Sequence, residues 1–124
     1  MVRLAAWSAA VLLLMVPNPG RAADPAAGQA VFARCKICHS LEAGGHSPVG
    51  PNLHALFGRK AGTAEGFDYS AAMKESGITW DDDTLRKYLS DPRGFIAGNK
   101  MAFPGIKNDQ DMDNLLAYLH QATQ

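Results

Sequence analysis

The stretch Arg34-Cys35-Lys36-Ile37-Cys38-His39 decides how this chain is read. On a helical turn, residues three apart share a face, so the two thiols point the same way and the next residue presents an imidazole. That is the pattern of covalent c-type haem attachment: each thiol joins one vinyl group on a porphyrin edge, and the histidine is delivered to the iron. Three other readings compete. A redox-active dithiol would follow a β-strand in a βαβ pattern, whereas Val31, Phe32, Cys35 and Cys38 fall at helical spacing and no strand run precedes them. Structural zinc needs four ligands, and His46 and His54, which would have to join the two thiols, lie eight residues apart, an unusual zinc spacing. A plain disulfide suits an exported chain but leaves His39 without a part. Covalent haem accounts for all three residues.

Towards the N-terminus, residues 1–23 carry Arg3, an uncharged run from Leu4 to Val16, then Pro17, Pro19 and small residues. This is the form of a secretory signal, with cleavage expected near Ala22 or Ala23. The run is shorter than the roughly 20 apolar residues that span a bilayer, and no other stretch approaches that length. The reading is therefore a leader over 1–23, a single domain over 24–124 in the periplasm, and no membrane span once the leader is removed. The full chain of 124 residues has 12 Lys+Arg against 12 Asp+Glu, and loss of Arg3 and Arg21 with the leader tips the balance slightly acidic. No basic excess remains to meet phosphate, so a nucleic-acid binder or a polybasic membrane-surface protein is excluded. A domain this small, rich in glycine and proline, has little core of its own. A large apolar cofactor would complete it.

The remaining pattern is helical, with almost no alternation of the strand type. Asp24-Pro25 supplies a cap and a first helical position for a helix running into the cysteine motif. Residues 40–68 are broken by glycine and proline, and Ser70 caps a short helix that ends at Gly77. Asp81 or an acidic neighbour caps the next helix, where Leu85, Tyr88 and Leu89 share a face, and Asp91-Pro92 stops it. Arg93 to Lys107 reads as loop. The last helix starts near Asn108, sets Asp109, Asp111 and Asp113 in its first turns, and points Met112, Leu115, Leu116 and Leu119 inward.

What holds the other face of the iron decides the function, because a closed site suits electron transfer and an open one suits chemistry on small ligands. Met112 lies on the apolar stripe of the last helix and Met73 in a short helix, which suits core packing. His46, His54 and His120 suit surface or local hydrogen-bonding roles. Met101 differs, since Gly98-Asn-Lys-Met-Ala-Phe-Pro-Gly105 is a loop able to fold a thioether over a porphyrin.

From Gly28 to the C-terminus the chain resembles class I c-type cytochromes, the mitochondrial-like cytochrome c family and its short bacterial periplasmic relatives. The resemblance is carried by C-K-I-C-H, G-P-N-L-H-A-L-F-G-R-K-A-G, G-F-D-Y-S, G-I-T-W, L-R-K-Y-L-S-D-P, G-N-K-M-A-F-P-G-I-K and N-L-L-A-Y-L, in that order. It implies an all-α cytochrome c fold, three main helices and one or two short ones wrapped around one haem c held by Cys35 and Cys38. It also implies that His39 and Met101 are the axial iron ligands and that the Pro51 carbonyl accepts a hydrogen bond from the His39 ring. Tyr88 matches the tyrosine near the methionine sulfur. Arg59, Tyr69, Ser70, Trp80 and Asn99 match positions that contact or screen the haem propionates, and Phe103 packs at the cofactor. Gly28, Phe32, Leu115 and Tyr118 match a close crossing of the first and last helices. Two departures stand out: Met73 replaces a frequent asparagine and Asn99 a common threonine.

The implied function is a soluble periplasmic electron carrier and not an enzyme. It would move one electron from a cytochrome bc complex or a dehydrogenase to a terminal oxidase or photosynthetic reaction centre. Redox partners would dock at the haem edge near Arg34, Lys36, Arg93, Lys100 and Lys107, and the carrier is expected to be a monomer.

Overall fold

Gly28 sits where the first and last helices cross, and the crossing explains the architecture. The computed structural model describes residues 21–47 and 49–124, so the leader expected over 1–23 lies outside the described residues except for its last three. Helix α1, Pro25–Phe32, starts on Asp24, whose side chain accepts from Ala26 N, with Pro25 in the first turn where its missing N–H is no loss. Helix α5, Asp109–Ala122, starts on Asn108, which accepts from Asp111 N, and buries Met112, Leu115, Leu116 and Leu119. A Cβ on Gly28 would lie 1.9 Å from Asn114 O, so the bare glycine lets the two backbones touch. The contact is closed by Asp24 N donating to Asn114 Oδ1 at 2.8 Å and by Phe32 tilted on Tyr118 with centroids 5.5 Å apart.

Helix α1 stops at Phe32 instead of continuing regularly into the cysteine motif. Residues 33–38 form turns that mix the tighter bonds Cys35 N to Phe32 O and Cys38 N to Cys35 O with the wider bonds Lys36 N to Phe32 O and His39 N to Cys35 O. In a turn tightened towards three residues per repeat, side chains at i and i+3 eclipse, which brings Cys35 and Cys38 onto one line.

Helix α2, Ala71–Glu75, is capped by Ser70, which accepts from Met73 N. Helix α3, Asp82–Ser90, begins with a reciprocal capping box: Thr84 N donates to Asp81 Oδ1 and Asp81 N to Thr84 Oγ1. The stretch expected to be loop after Asp91 begins instead with a one-turn helix, α4, Pro92–Phe95. Asp91 ends α3 and caps α4 by accepting from Gly94 N, so the residues that stop one helix start the next. Among the described residues the only β pairing is a bridge between Lys60 and Thr79. The architecture is all-α, with α1, α3 and α5 as the main helices and α2 and α4 as the short ones.

Exposed pairs tie α3 to α5: Arg86 with Asp113, and His120 Nε2 with Asp82 Oδ1 at 2.7 Å. Pairs this open to water contribute little stability. The apolar core of Phe32, Trp80, Leu85, Leu115 and Leu119 contributes most, and it surrounds a cavity.

Candidate functional site

That cavity, about 240 Å³, is where the residues singled out by sequence meet: Cys35, Cys38, His39, Pro51, Arg59, Tyr69, Ser70, Trp80, Tyr88, Met101 and Phe103 all line it. Asn99 stands behind the wall, bonded to Tyr88 and Met101. Of the alternative iron ligands, Met73 also lines the cavity, whereas Met112, His46, His54 and His120 do not. His120 is instead stacked on Phe57, centroids 3.7 Å apart and planes 15° apart. No group of three or more His, Cys, Asp or Glu able to hold a bare metal ion occurs among the described residues.

Cys35 and Cys38 are not joined to each other, and both are half-buried. Burial pushes the Cys35 thiol up, with the neighbouring Arg34 charge opposing it. The His39 ring is fixed by Nδ1 donating to the Pro51 carbonyl at 2.8 Å, a geometry that assigns the proton to Nδ1 and leaves Nε2 as the free lone pair. Burial holds His39 below its ordinary value, so the ring is neutral and able to ligate. Gly50 keeps the space beside the ring open, because a Cβ there would lie 2.8 Å from His39 Cε1.

Met101 is carried by the segment between α4 and α5. Phe103 N donates to Met101 O at 3.0 Å, and Ile106 N donates to Leu89 O at 2.8 Å, which pins the segment to the end of α3. Gly105 makes the return, with φ of +110° and room for no Cβ, since one would stand 2.2 Å from Ser90 O. Trp80 and Tyr88 pack at 5.2 Å, and burial pushes the Tyr88 phenol up to about 12.

The polar side of the cavity tests which molecule fits. Arg59 Nη1 donates to His54 O at 2.9 Å, but Arg59 Nε is buried with no partner among the described residues. Tyr69 accepts from Ala64 N at 3.1 Å, which leaves its own proton for an acceptor in the cavity. The charged side chains of the lining, Arg34, Arg59 and Lys100, are all cations. An orphaned buried donor beside a tyrosine proton calls for an anionic oxygen, and the other walls are apolar. A flat apolar ring with carboxylates on one edge fits, which is what a haem is.

The cytochrome c family model matches residues 25–123. The chain belongs to the cytochrome c family. It is 48% identical to cytochrome c2 of Blastochloris viridis over 83% of this chain and 81% of that protein. It is 50% identical to cytochrome c2 of Rhodoblastus acidophilus over 81% of this chain and 94% of that one. Among solved structures, cytochrome cH from Methylobacterium extorquens superposes with a TM-score of 0.74 at 44% identity, covering 79% of this chain and 98% of its own. As a cytochrome c the protein carries one covalent haem c with its iron, and it transfers electrons to and from redox protein partners without being an enzyme. No helix of the described residues is long and apolar enough to cross a membrane.

Sequence reasoning missed part of the wall. Gly50, Leu53, Leu56 and Phe67 line the cavity, Phe67 edge-on to Tyr69 at 4.9 Å. The signal for Gly50 was its place before Pro51; the others sit in an irregular segment without periodicity to read.

Proposed function

We propose that this cytochrome is a soluble monomer, exported by its 1–23 leader to the periplasm, that shuttles single electrons with Cys35 and Cys38 as thioether anchors and His39 and Met101 as axial ligands. The reading rests on one observation: both thiols, the neutral His39 ring and the Met101 thioether line a single apolar cavity. When bound, the haem supplies a one-electron ferric/ferrous couple. His39 and Met101 would hold the iron between them, which would leave a substrate no access to the metal. The thioether of Met101 would favour the ferrous state relative to a second imidazole, and the Pro51 carbonyl fixes the orientation of the His39 ring. Arg59, Tyr69, Ser70 and Trp80 screen the carboxylate edge, and Phe103 covers the mouth.

Partners would be a cytochrome bc complex or dehydrogenase as donor and a terminal oxidase or photosynthetic reaction centre as acceptor; the cytochrome c2 relatives and the export signal support this. The basic rim also supports docking to acidic surfaces. Arg34 and Lys100 line the cavity, Arg34 lies 6.0 Å over the Phe103 ring, and Lys36 is exposed beside Ile37. Arg93 borders an adjoining cleft with Phe103. Two of the five are engaged: Lys100 Nζ binds Asp68 Oδ2 at 3.2 Å, and Lys107 Nζ donates to Ser90 O.

The test is spectroscopic. The ferric protein should show the weak thioether-to-iron charge-transfer band, and Met101→Ala should abolish it, lower the midpoint potential and admit carbon monoxide to the ferrous form. High-spin iron in the wild type, or an unchanged potential in the variant, would overturn the Met101 assignment and turn attention to Met73. Sequencing the N-terminus of the periplasmic protein tests export, with a start near Asp24 expected.

A further inference from the structure

We propose that Asn99 is the positioning residue for Met101, its side-chain amide acting as a four-bond staple that sets where the thioether is presented, and that it makes no contact with the haem carboxylates. The proposal rests on the reading of Met101 as the iron ligand. Asn99 Oδ1 accepts from Met101 N at 2.9 Å and from the Tyr88 hydroxyl at 3.2 Å, while Nδ2 donates to Pro92 O and to Ile96 O, both at 2.8 Å. A primary amide has two acceptor sites and two donors, and all four are used. The orientation is fixed by chemistry: a flipped amide would set its NH₂ against the Met101 N–H and its oxygen against two carbonyl oxygens. With both donors committed, none remains for a carboxylate, and the side chain is not in the cavity lining.

The staple joins three elements. Pro92 and Ile96 belong to α4 and its C-cap, Tyr88 to α3, and Met101 to the segment that enters the cavity. A fully satisfied, partly buried network of this kind is stiff, so the Met101 backbone inherits the position of two helices. A threonine at this site, with a single O–H, could make at most one of the two donations. Asn99 Oδ1 can only accept, so the Tyr88 hydroxyl must donate to it.

The experiment titrates ferric holoprotein with imidazole, which competes with Met101 for the iron, and follows the thioether charge-transfer band. Asn99→Ala should bind imidazole at least tenfold more tightly than the wild type. Asn99→Thr should gain about threefold, and Tyr88→Phe, which removes only the longest of the four bonds, less than threefold. Leu116→Ala, in the core outside the cavity lining, should lower unfolding stability yet leave imidazole affinity within twofold, which separates positioning from general destabilisation. A measurement on the unaltered protein stands beside these: the Met101 amide should be protected from hydrogen exchange. Wild type without the charge-transfer band would overturn the ligand reading itself. A wild-type band together with an unprotected Met101 amide, or with unchanged imidazole affinity in Asn99→Ala, would overturn the staple alone.

Discussion

Replacing Gly28 with alanine should be among the most damaging single-methyl changes available to this protein. The added Cβ would stand 1.9 Å from Asn114 O, 2.5 Å from the Asn114 carbonyl carbon and 2.8 Å from Tyr118 Cβ. A comfortable carbon–oxygen contact is about 3.3–3.6 Å, so α1 and α5 must separate by about 1.5 Å. No rotamer change relieves the clash, because the obstacles are backbone atoms and a Cβ. Separation also stretches the Asp24–Asn114 hydrogen bond and loosens Phe32 on Tyr118. Overpacking commonly costs about 1–3 kcal/mol and more when backbone must move; alanine's better helix propensity returns about 1 kcal/mol. With backbone as the obstacle the upper figure applies, so the net cost is at least about 2 kcal/mol, or roughly 8–16 °C in Tm for a domain near one hundred residues.

The assay is guanidinium unfolding of the ferric holoprotein by far-ultraviolet circular dichroism, with Gly58→Ala alongside. Gly58 has φ of +85° and nothing within 4 Å of a built Cβ, so its substitution carries only the left-handed backbone penalty of about 1–2 kcal/mol. A Gly28→Ala protein as stable as the wild type would refute the reasoning. So would one that loses no more than a milder Gly58→Ala protein loses.

Three further outcomes follow from the site and its rim. The Tyr88 phenol, near 12 in the fold, ionises near 10 in the unfolded chain; between those values the unfolded state releases a proton that the folded state keeps. Stability therefore falls as pH rises through that window, by about 3 kcal/mol, and urea unfolding of Tyr88→Phe should lack this component; an identical slope in the variant contradicts the burial argument. Arg59→Met removes a cation that favours the less positive ferrous state, and should lower the midpoint potential by on the order of 40 mV, equivalent to about 1 kcal/mol for one electron; redox titration showing a rise would contradict it. Electron transfer to an anionic partner should slow as salt shortens the Debye length from about 30 Å to about 8 Å, with Lys36→Glu slower by roughly threefold at low salt only. A flat stopped-flow profile would leave the basic rim without a steering role.

Local chemistry was the legible part of this fold. Asp24, Ser70 and Asp81 are readable as helix caps and are caps, and Asn108, legible only as the neighbourhood where the last helix starts, caps it too, because a cap is an interaction between residues two or three apart. Helix α4 was not readable: a single turn shows no periodicity, and Asp91-Pro92 carries the same signal whether it ends a helix or starts one. The turns over 33–38 carry the sequence pattern of a continuing helix because i+3 and i+4 bonding leave the same spacing of apolar residues. Within the site, Cys35 and Cys38 were legible as partners of one porphyrin edge and His39 as its neighbour. The residues alone left six candidates for the far side, and Met101 stood out only as a methionine in a loop. Folding adds what no local pattern holds: Met101 and Met73 reach the cavity, while His120 is drawn off by Phe57 and Asp82. The four partners of Asn99 were equally hidden, since three are backbone groups and carry no residue identity.

Charge shows the same division between what a sum reports and what folding arranges. Equal totals of acid and base suggest a bland surface, yet the carboxylates cluster on the helix ends and take local partners: Asp81 on Thr84, Asp82 on His120, Asp83 on Lys87 and Asp113 on Arg86. None of them lines the cavity, where the charged side chains are Arg34, Arg59 and Lys100, the last of these paired with Asp68. On the proposed reading the haem carboxylates would meet Arg59 from inside, which would leave Arg34 and the exposed Lys36 to set the potential outside the cavity. The field felt by a partner within a Debye length follows that local arrangement and not the chain total. A chain with no net charge can therefore still approach an acidic partner with its mouth foremost.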